Sequence, residues 1–294
     1  MNKGILAGAA AYALWGFFPI YFHALKDVSA VQVTAHRIVW SFLFLMLLVA
    51  ARRELPALKA ALTRRILLAY LAAGLLLSIN WLAFVWGVGS GYVVEASLGY
   101  FINPLVSVVL GVVFLRERLR PAQWVPVTLA AAGVVYLTVS LGSPPWLALL
   151  LAFTFGFYGL TKKLAPLGSL PGLTLETGAI FVPALAFLLF EQAGGSGAFI
   201  QAGLLTTVLL ALIGVVTAIP LLLFATAAKN VPLSTMGLLQ FISPTIQFLI
   251  GVFLYGEPFT SGQVVGFAII WAALILFSVE SYLARRRSAL APAV

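Results

Sequence analysis

Apolar runs of about twenty residues follow one another along almost the whole chain, the length a helix needs to cross roughly 30 Å of hydrocarbon. Ten are legible, at about 4–24, 33–51, 66–88, 93–115, 122–140, 145–161, 173–190, 204–226, 233–254 and 262–283. Composition agrees, since 63% of the 294 residues are apolar and 9% charged, too few charges to clothe a soluble domain of this size. The expected fold class is therefore an all-α membrane protein with ten transmembrane helices. The first run follows Lys3 as the core of a secretion signal would. It continues through "AYALWGFFPIYF" with bulky aromatics and no small-residue cleavage site, so it reads as a retained helix. The chain has no Cys, which excludes a disulfide framework, a zinc ribbon and a thiol nucleophile.

Charge sets the orientation. Lys3, Arg52, Arg53, Lys59, Arg64, Arg65, Arg116, Arg118, Arg120, Lys162, Lys163, Lys229 and Arg285 to Arg287 fall near the termini or in loops after even-numbered runs, whereas the opposite loops hold Lys26 alone. Basic residues collect on the cytoplasmic side, so both termini are expected there, with an even number of crossings. The same rule explains the net charge of +9 without a nucleic-acid partner.

A repeat runs through the chain at a displacement of 140 residues. "NPLVSVVLGVVFLRERLRPAQ" at 103–123 is matched by "SPTIQFLIGVFLYGEPFTSGQ" at 243–263, with Pro104, Gly111, Glu117 and Gln123 against Pro244, Gly251, Glu257 and Gln263. Gly16 meets Gly156, Gly74 meets Gly214, and Phe84 meets Phe224. Arg116, Arg118 and Arg120, however, face Gly256, Pro258 and Thr260. Five helices per half is an odd number, so the second copy enters the membrane from the other side and its equivalent loop sheds positive charge. The halves are expected at 1–141 and 142–294. Inverted repeats of this kind mark secondary transporters, because they make inward-open and outward-open states near mirror versions of one another. A channel-like pore built by duplication is the alternative of a different class. An ATP-driven pump is disfavoured by the lack of a phosphate-binding glycine loop, and an intramembrane hydrolase by the lack of a Ser, His and acid set at one depth; no enzyme activity is expected.

The stretches "YALWGFFPIYF", "HRIVWS", "INWLAFVWGV", "EASLGYFINPL", "RLRPAQW" and "APLGSLPGLTLET" carry a further signal. Through them the chain resembles the drug/metabolite transporter superfamily, with two EamA-type halves and a RarD-type character, related to YddG-type amino acid exporters. The resemblance implies a bacterial inner-membrane carrier that exports small metabolites, amino acids foremost. Amphipathic drugs or another small metabolite are the alternative cargo, RarD-type proteins being associated by name with chloramphenicol.

A binding site between the repeats would sit near the membrane midplane. Tyr100, Asn103 and Ser107 form one polar stripe on the fourth run, and Gln240, Ser243 and Gln247 repeat it on the ninth. Polar side chains at that depth face protein or a watered cavity, so interhelical hydrogen bonding and a cavity wall both remain open, as they do for Asn80 beside Trp81. Tyr12 and Trp15 lie mid-way down the first run near Gly16 and Pro19, where a helix break is expected, and Phe155 and Tyr158 stand in the corresponding part of the sixth. These aromatics either pack or line a pocket that holds an ammonium over a ring face. Four ionisable groups fall inside the runs: His36, Arg37, Glu95 and Glu176. Arg37 and Glu95 share a depth near the external face and read as a strut or a gate, while Glu176 lies near Lys162 and Lys163 at the cytoplasmic end. Glu117 and Glu257 are expected to favour the N-termini of the fifth and tenth helices.

No cofactor or metal is implied. The expected partners are the lipid bilayer and a small-molecule substrate; proton coupling through Glu95 or His36 and facilitated diffusion both fit. Single cysteines at Arg118 and Pro258, in a chain without native Cys, should react with an impermeant thiol reagent from opposite sides of the membrane. Labelling of both from one side would sink the inverted arrangement.

Overall fold

The computed structural model describes residues 3–89, 93–140, 146–256 and 261–290. Among them every regular element is helical, as a hydrocarbon solvent demands, because a helix satisfies its own backbone polar groups. In chain order these are α1 (Lys3–Gly16), α2 (Phe18–His23), α3 (Ala30–Ala51), α4 (Leu55–Ala60), α5 (Arg64–Gly89), α6 (Val93–Leu115) and α7 (Pro121–Ser140). There follow α8 (Trp146–Leu164), α9 (Ser169–Ala193), α10 (Leu204–Asn230), α11 (Leu233–Leu239), α12 (Ile242–Leu249) and α13 (Ser261–Leu290), with a π-helical turn at Ile250–Leu254. Eight helical stretches are long and apolar enough to cross a bilayer, from Lys3–His23 to Leu204–Asn230. The ninth expected run is divided into α11, α12 and the π turn, and the tenth corresponds to α13.

Proline explains the broken runs. Pro19 has no N–H to give the carbonyl of Trp15 four residues back, and the chain parts at Phe17 before restarting as α2. Pro244 likewise denies the Gln240 carbonyl its donor four residues on; that carbonyl accepts from the Ser243 amide at 3.2 Å instead, and the helix parts between Leu239 and Ile242. Pro104, at the displaced position, stays inside the continuous α6. Losing one hydrogen bond permits a break; the neighbours decide whether it opens.

The outside of the bundle is apolar, and the interior, itself mostly apolar, holds buried polar and ionisable groups. Leu47, Phe190 and Phe253 are 67%, 74% and 81% exposed, while Gln32, His36, Arg37, Asn80, Asn103, Lys162 and Glu176 are buried. An exposed apolar coat with an ionisable interior is the order a lipid solvent imposes. Small residues bring the helices close. A Cβ on Gly16 would fall 2.7 Å from the Ile246 side chain, and one on Gly156 2.6 Å from that of Val106. A Cβ on Gly74 would lie 2.9 Å from the Glu176 carbonyl oxygen, and one on Gly214 2.2 Å from the Trp40 carbonyl carbon. The contacts are exchanged: Gly16 reaches into the second half of the chain and Gly156 back into the first, on partners themselves 140 residues apart. Beside Gly214, the Ser41 hydroxyl donates to its carbonyl at 3.1 Å.

Candidate functional site

A cavity of about 570 Å³ lies between α1, α2, α3, α5, α6, α8, α10 and the broken α11–α12. Its inner wall is aromatic. Trp15 meets Phe155 edge-on at 5.8 Å, Tyr12 meets Trp15 at 5.6 Å, and Phe224 joins all three rings. Tyr158 stacks on the far side of Phe224 at 5.7 Å and is fully buried, so it supports the wall and does not line the cavity.

The broken helices supply the polar edge. The Trp15 carbonyl, left without a helical donor by Pro19, accepts from Gln247 Nε2 at 3.2 Å, and the same amide nitrogen reaches Ser243 Oγ at 3.3 Å. One helix's missing hydrogen bond is thus made good by the polar stripe of another. Gln240, Ser243 and Gln247 all line the cavity, together with Tyr100 and Asn103 from α6. Ser107, one turn further along α6, does not; it packs where α11 crosses, a Cβ on Gly237 falling 3.0 Å from its own and 2.5 Å from the Pro104 carbonyl. Asn80 serves both of its open readings, lining the cavity while its Nδ2 donates to the Leu151 carbonyl at 2.8 Å and to Thr154 Oγ1 at 2.9 Å.

Arg37 also lines the cavity. Its Nε donates to Thr217 Oγ1 at 3.1 Å, and its guanidinium lies 3.9 Å over the Trp81 ring, with Phe22 at 5.3 Å and Phe18 at 5.7 Å. The Glu95 side chain lies outside the described residues, and with it the expected Arg37–Glu95 pair. His36 turns elsewhere: it accepts from Trp40 Nε1 at 3.2 Å and packs on Phe199. Sequence reasoning missed Phe18, Phe22, Phe84 and Leu221 in the lining, since nothing but their neighbours distinguishes them from other apolar residues of a membrane helix.

The two ends of the cavity differ. One reaches Lys26, Val28 and Ala30 in the α2–α3 connection, where Lys26 and Ala30 are exposed. Away from that end, polar contacts join the helices, and their residues are not among those that line the cavity. Lys162 Nζ lies 2.8 Å from Glu176 Oε2 with both side chains almost wholly buried, and Tyr70 and Tyr158 flank the ammonium at 5.7 and 5.9 Å. Lys163 donates to the Ala228 and Val231 carbonyls, Lys229 to that of Ala165, and the Tyr70 hydroxyl accepts from the Leu167 amide. Glu117 departs from its expected role. It does not serve α7, which begins at Pro121; its carboxylate accepts from the Leu233 and Ser234 amides at 2.6 and 2.9 Å and from the Ser234 hydroxyl at 2.7 Å. Those are the orphan donors of the first turn of α11, so a residue of one half caps a helix of the other.

An aromatic and amide cavity among membrane-length helices is the kind of site a membrane transporter offers a small molecule. The EamA-like transporter family model matches residues 2–139 and again 143–279, and the chain belongs to that family. It is 46% identical to the uncharacterized transporter YojE of Bacillus subtilis (strain 168), over 98% of this chain and 97% of that protein. It is 44% identical to the protein RarD of Streptomyces exfoliatus, over 98% and 91%. A solved crystal structure shares the fold with a TM-score of 0.72 at 17% identity, covering 95% of this chain and 98% of that one.

Breaking the buried pair strands a charge, which costs about 3–5 kcal/mol, whereas replacing both partners with apolar groups is close to neutral. Glu176→Gln and Lys162→Met should therefore each lower the unfolding temperature of the purified protein, and Lys162→Met with Glu176→Leu should recover most of the loss. A double variant no more stable than the worse single one would remove the pair from the closure.

Proposed function

We propose that the protein is a secondary transporter of the bacterial inner membrane that exports small metabolites, amino acids foremost, by alternating access between two inverted five-helix halves at 1–141 and 142–294. One observation carries this reading: the cavity lining reaches exposed residues at the Lys26 end, whereas away from it the helices are held by buried apolar packing together with the Lys162–Glu176 and Glu117 contacts, none of which lines the cavity. A channel-like pore would be served by a path to both faces. The exchanged glycine contacts and the twofold match of the family model support the inverted halves. So does Glu117, which links the halves through α11.

With the Lys- and Arg-rich loops in the cytoplasm, the Lys26 end is external and this conformer is outward-open. Export then requires the cytoplasmic end to part so that cargo enters from inside. The Lys162–Glu176 pair and the Glu117 cap on α11 are the contacts that must yield, and each ties together helices that would separate. The midplane residues Tyr12, Trp15, Asn80, Trp81, Tyr100, Asn103, Phe155, Gln240, Ser243 and Gln247 hold the cargo, with Ser107 and Tyr158 behind them.

Liposomes containing the purified protein should show saturable uptake of labelled amino acids, accelerated by unlabelled substrate on the far side, and a pH gradient separates proton coupling from facilitated diffusion. Linear flux without exchange would favour the pore. Glu117→Ala should increase labelling of a cysteine at Ser107 by an impermeant thiol reagent applied from the cytoplasmic side, because the cap no longer holds α11 over it. Unchanged labelling would take Glu117 out of the gate.

A further inference from the structure

Among the described residues the cations Arg37 and Lys162 are buried, and they are treated differently. Lys162 has its own carboxylate, Glu176, at 2.8 Å. Arg37 is 7% exposed, and its single protein hydrogen bond among the described residues goes to a neutral hydroxyl, Thr217 Oγ1. A guanidinium carries five N–H donors, so four remain without a protein acceptor among the described residues. The ion pairs there use Arg120, Lys162 and Lys163. A charge within a membrane span is expensive unless something pairs with it, and such residues mark the path of a substrate.

Among the described residues, the surroundings hold that charge in place and offer it no carboxylate. Stacking on Trp81 at 3.9 Å fixes the plane of the guanidinium, and Thr217 fixes its Nε edge, so the fork of terminal nitrogens is pre-set. The described cavity lining contains Arg37 and Lys26 and no carboxylate. Deeper in the wall, Asn103 is 2% exposed and its Oδ1 has no hydrogen-bond partner, an acceptor left for an N–H or O–H group. Between them the wall is aromatic.

We infer that Arg37 anchors a carboxylate of the cargo, so that the cavity takes monoanionic organic acids with an apolar or aromatic body and does not require their amino group. The inference rests on the cavity being the transport site and names its substrate class. A planar carboxylate accepts two parallel N–H bonds from the fork, and one guanidinium balances one charge. The aromatic wall takes the body of the molecule, and Asn103 offers a polar contact that an amino, hydroxyl or amide group can fill but that charge balance does not demand. An amine without a carboxylate would instead bring a second cation beside Arg37.

The test is calorimetric titration of the purified full-length protein with three probes that share a phenyl body: L-phenylalanine, 3-phenylpropanoate and 2-phenylethylamine. Both carboxylates should bind saturably, and the amine about tenfold or more weaker. Arg37→Gln should bring the carboxylates down to the level of the amine, and Arg37→Lys should keep part of the preference, having charge without a fork. Glu95→Gln should leave carboxylate affinity unchanged. The wild-type comparison alone decides the matter if the Arg37 variants do not fold. An amine that binds as tightly as the acids, the absence of carboxylate binding at millimolar concentration, or a folded Arg37→Gln with its preference intact overturns the proposal. So does a tenfold gain in Glu95→Gln, which would make Glu95 the partner of Arg37. Carboxylate-selective binding without counterflow in liposomes would sink transport and leave the anchor; saturable counterflow of the amine alone would do the reverse.

Discussion

Hydrocarbon offers no hydrogen bonds, and the rest of this structure follows from that constraint. Each membrane-crossing segment must close its backbone bonds on itself, so regular structure is helical and any lapse needs an internal remedy. The remedy is visible at Trp15. Pro19 leaves its carbonyl without a helical donor, and the Gln247 amide supplies one from another helix. A backbone defect has become a polar feature at the edge of a cavity. Breaks of this kind are tolerated where they face protein or a water-filled space, and both broken runs here contribute residues to the same cavity.

The same solvent makes electrostatics inside the bundle a matter of pairing. Away from the Lys26 end each buried or half-buried charge has a partner: Lys162 in Glu176, Lys163 and Lys229 in backbone carbonyls, Glu117 in the first amides of α11, although Glu176 Oε1 and the Tyr158 hydroxyl have no hydrogen-bond partner among the described residues. These contacts sit within buried apolar packing, and a buried ion pair contributes little net stability because desolvation offsets its attraction. In the proposed cycle the pair would part into a watered passage, where both heads are solvated and neither charge is stranded in apolar surroundings. At the other end the cavity carries positive charge with no acid in its described lining. The difference between the ends gives the bundle a direction.

Close helix contacts make that direction possible. Gly16, Gly74, Gly156 and Gly214 each sit where a methyl group would strike the neighbouring helix, Gly16 and Gly156 against side chains of Ile246 and Val106, Gly74 and Gly214 against backbone. Under the proposed alternating access, helices held at such small-residue crossings would rock about them.

Much of this was legible before any coordinates. Runs of about twenty apolar residues could only be membrane helices, because no other structure is stable in lipid at that length, and the family that the motifs resemble is the one the chain belongs to. Tyr12, Trp15, Asn80, Trp81, Tyr100, Asn103, Phe155, Gln240, Ser243 and Gln247 could be picked out because a polar or amphipathic side chain at mid-depth has to face inward. Ser107, Tyr158 and His36 obey the same rule and still miss the cavity, since facing inward does not say which neighbour lies there. Likewise Glu117 looked like a cap for the helix that follows it in sequence, and it caps one more than a hundred residues away. Periodicity and hydropathy act along one helix and are written in its residues. The choice of partner across helices depends on crossing points and breaks, and only the assembled bundle decided those.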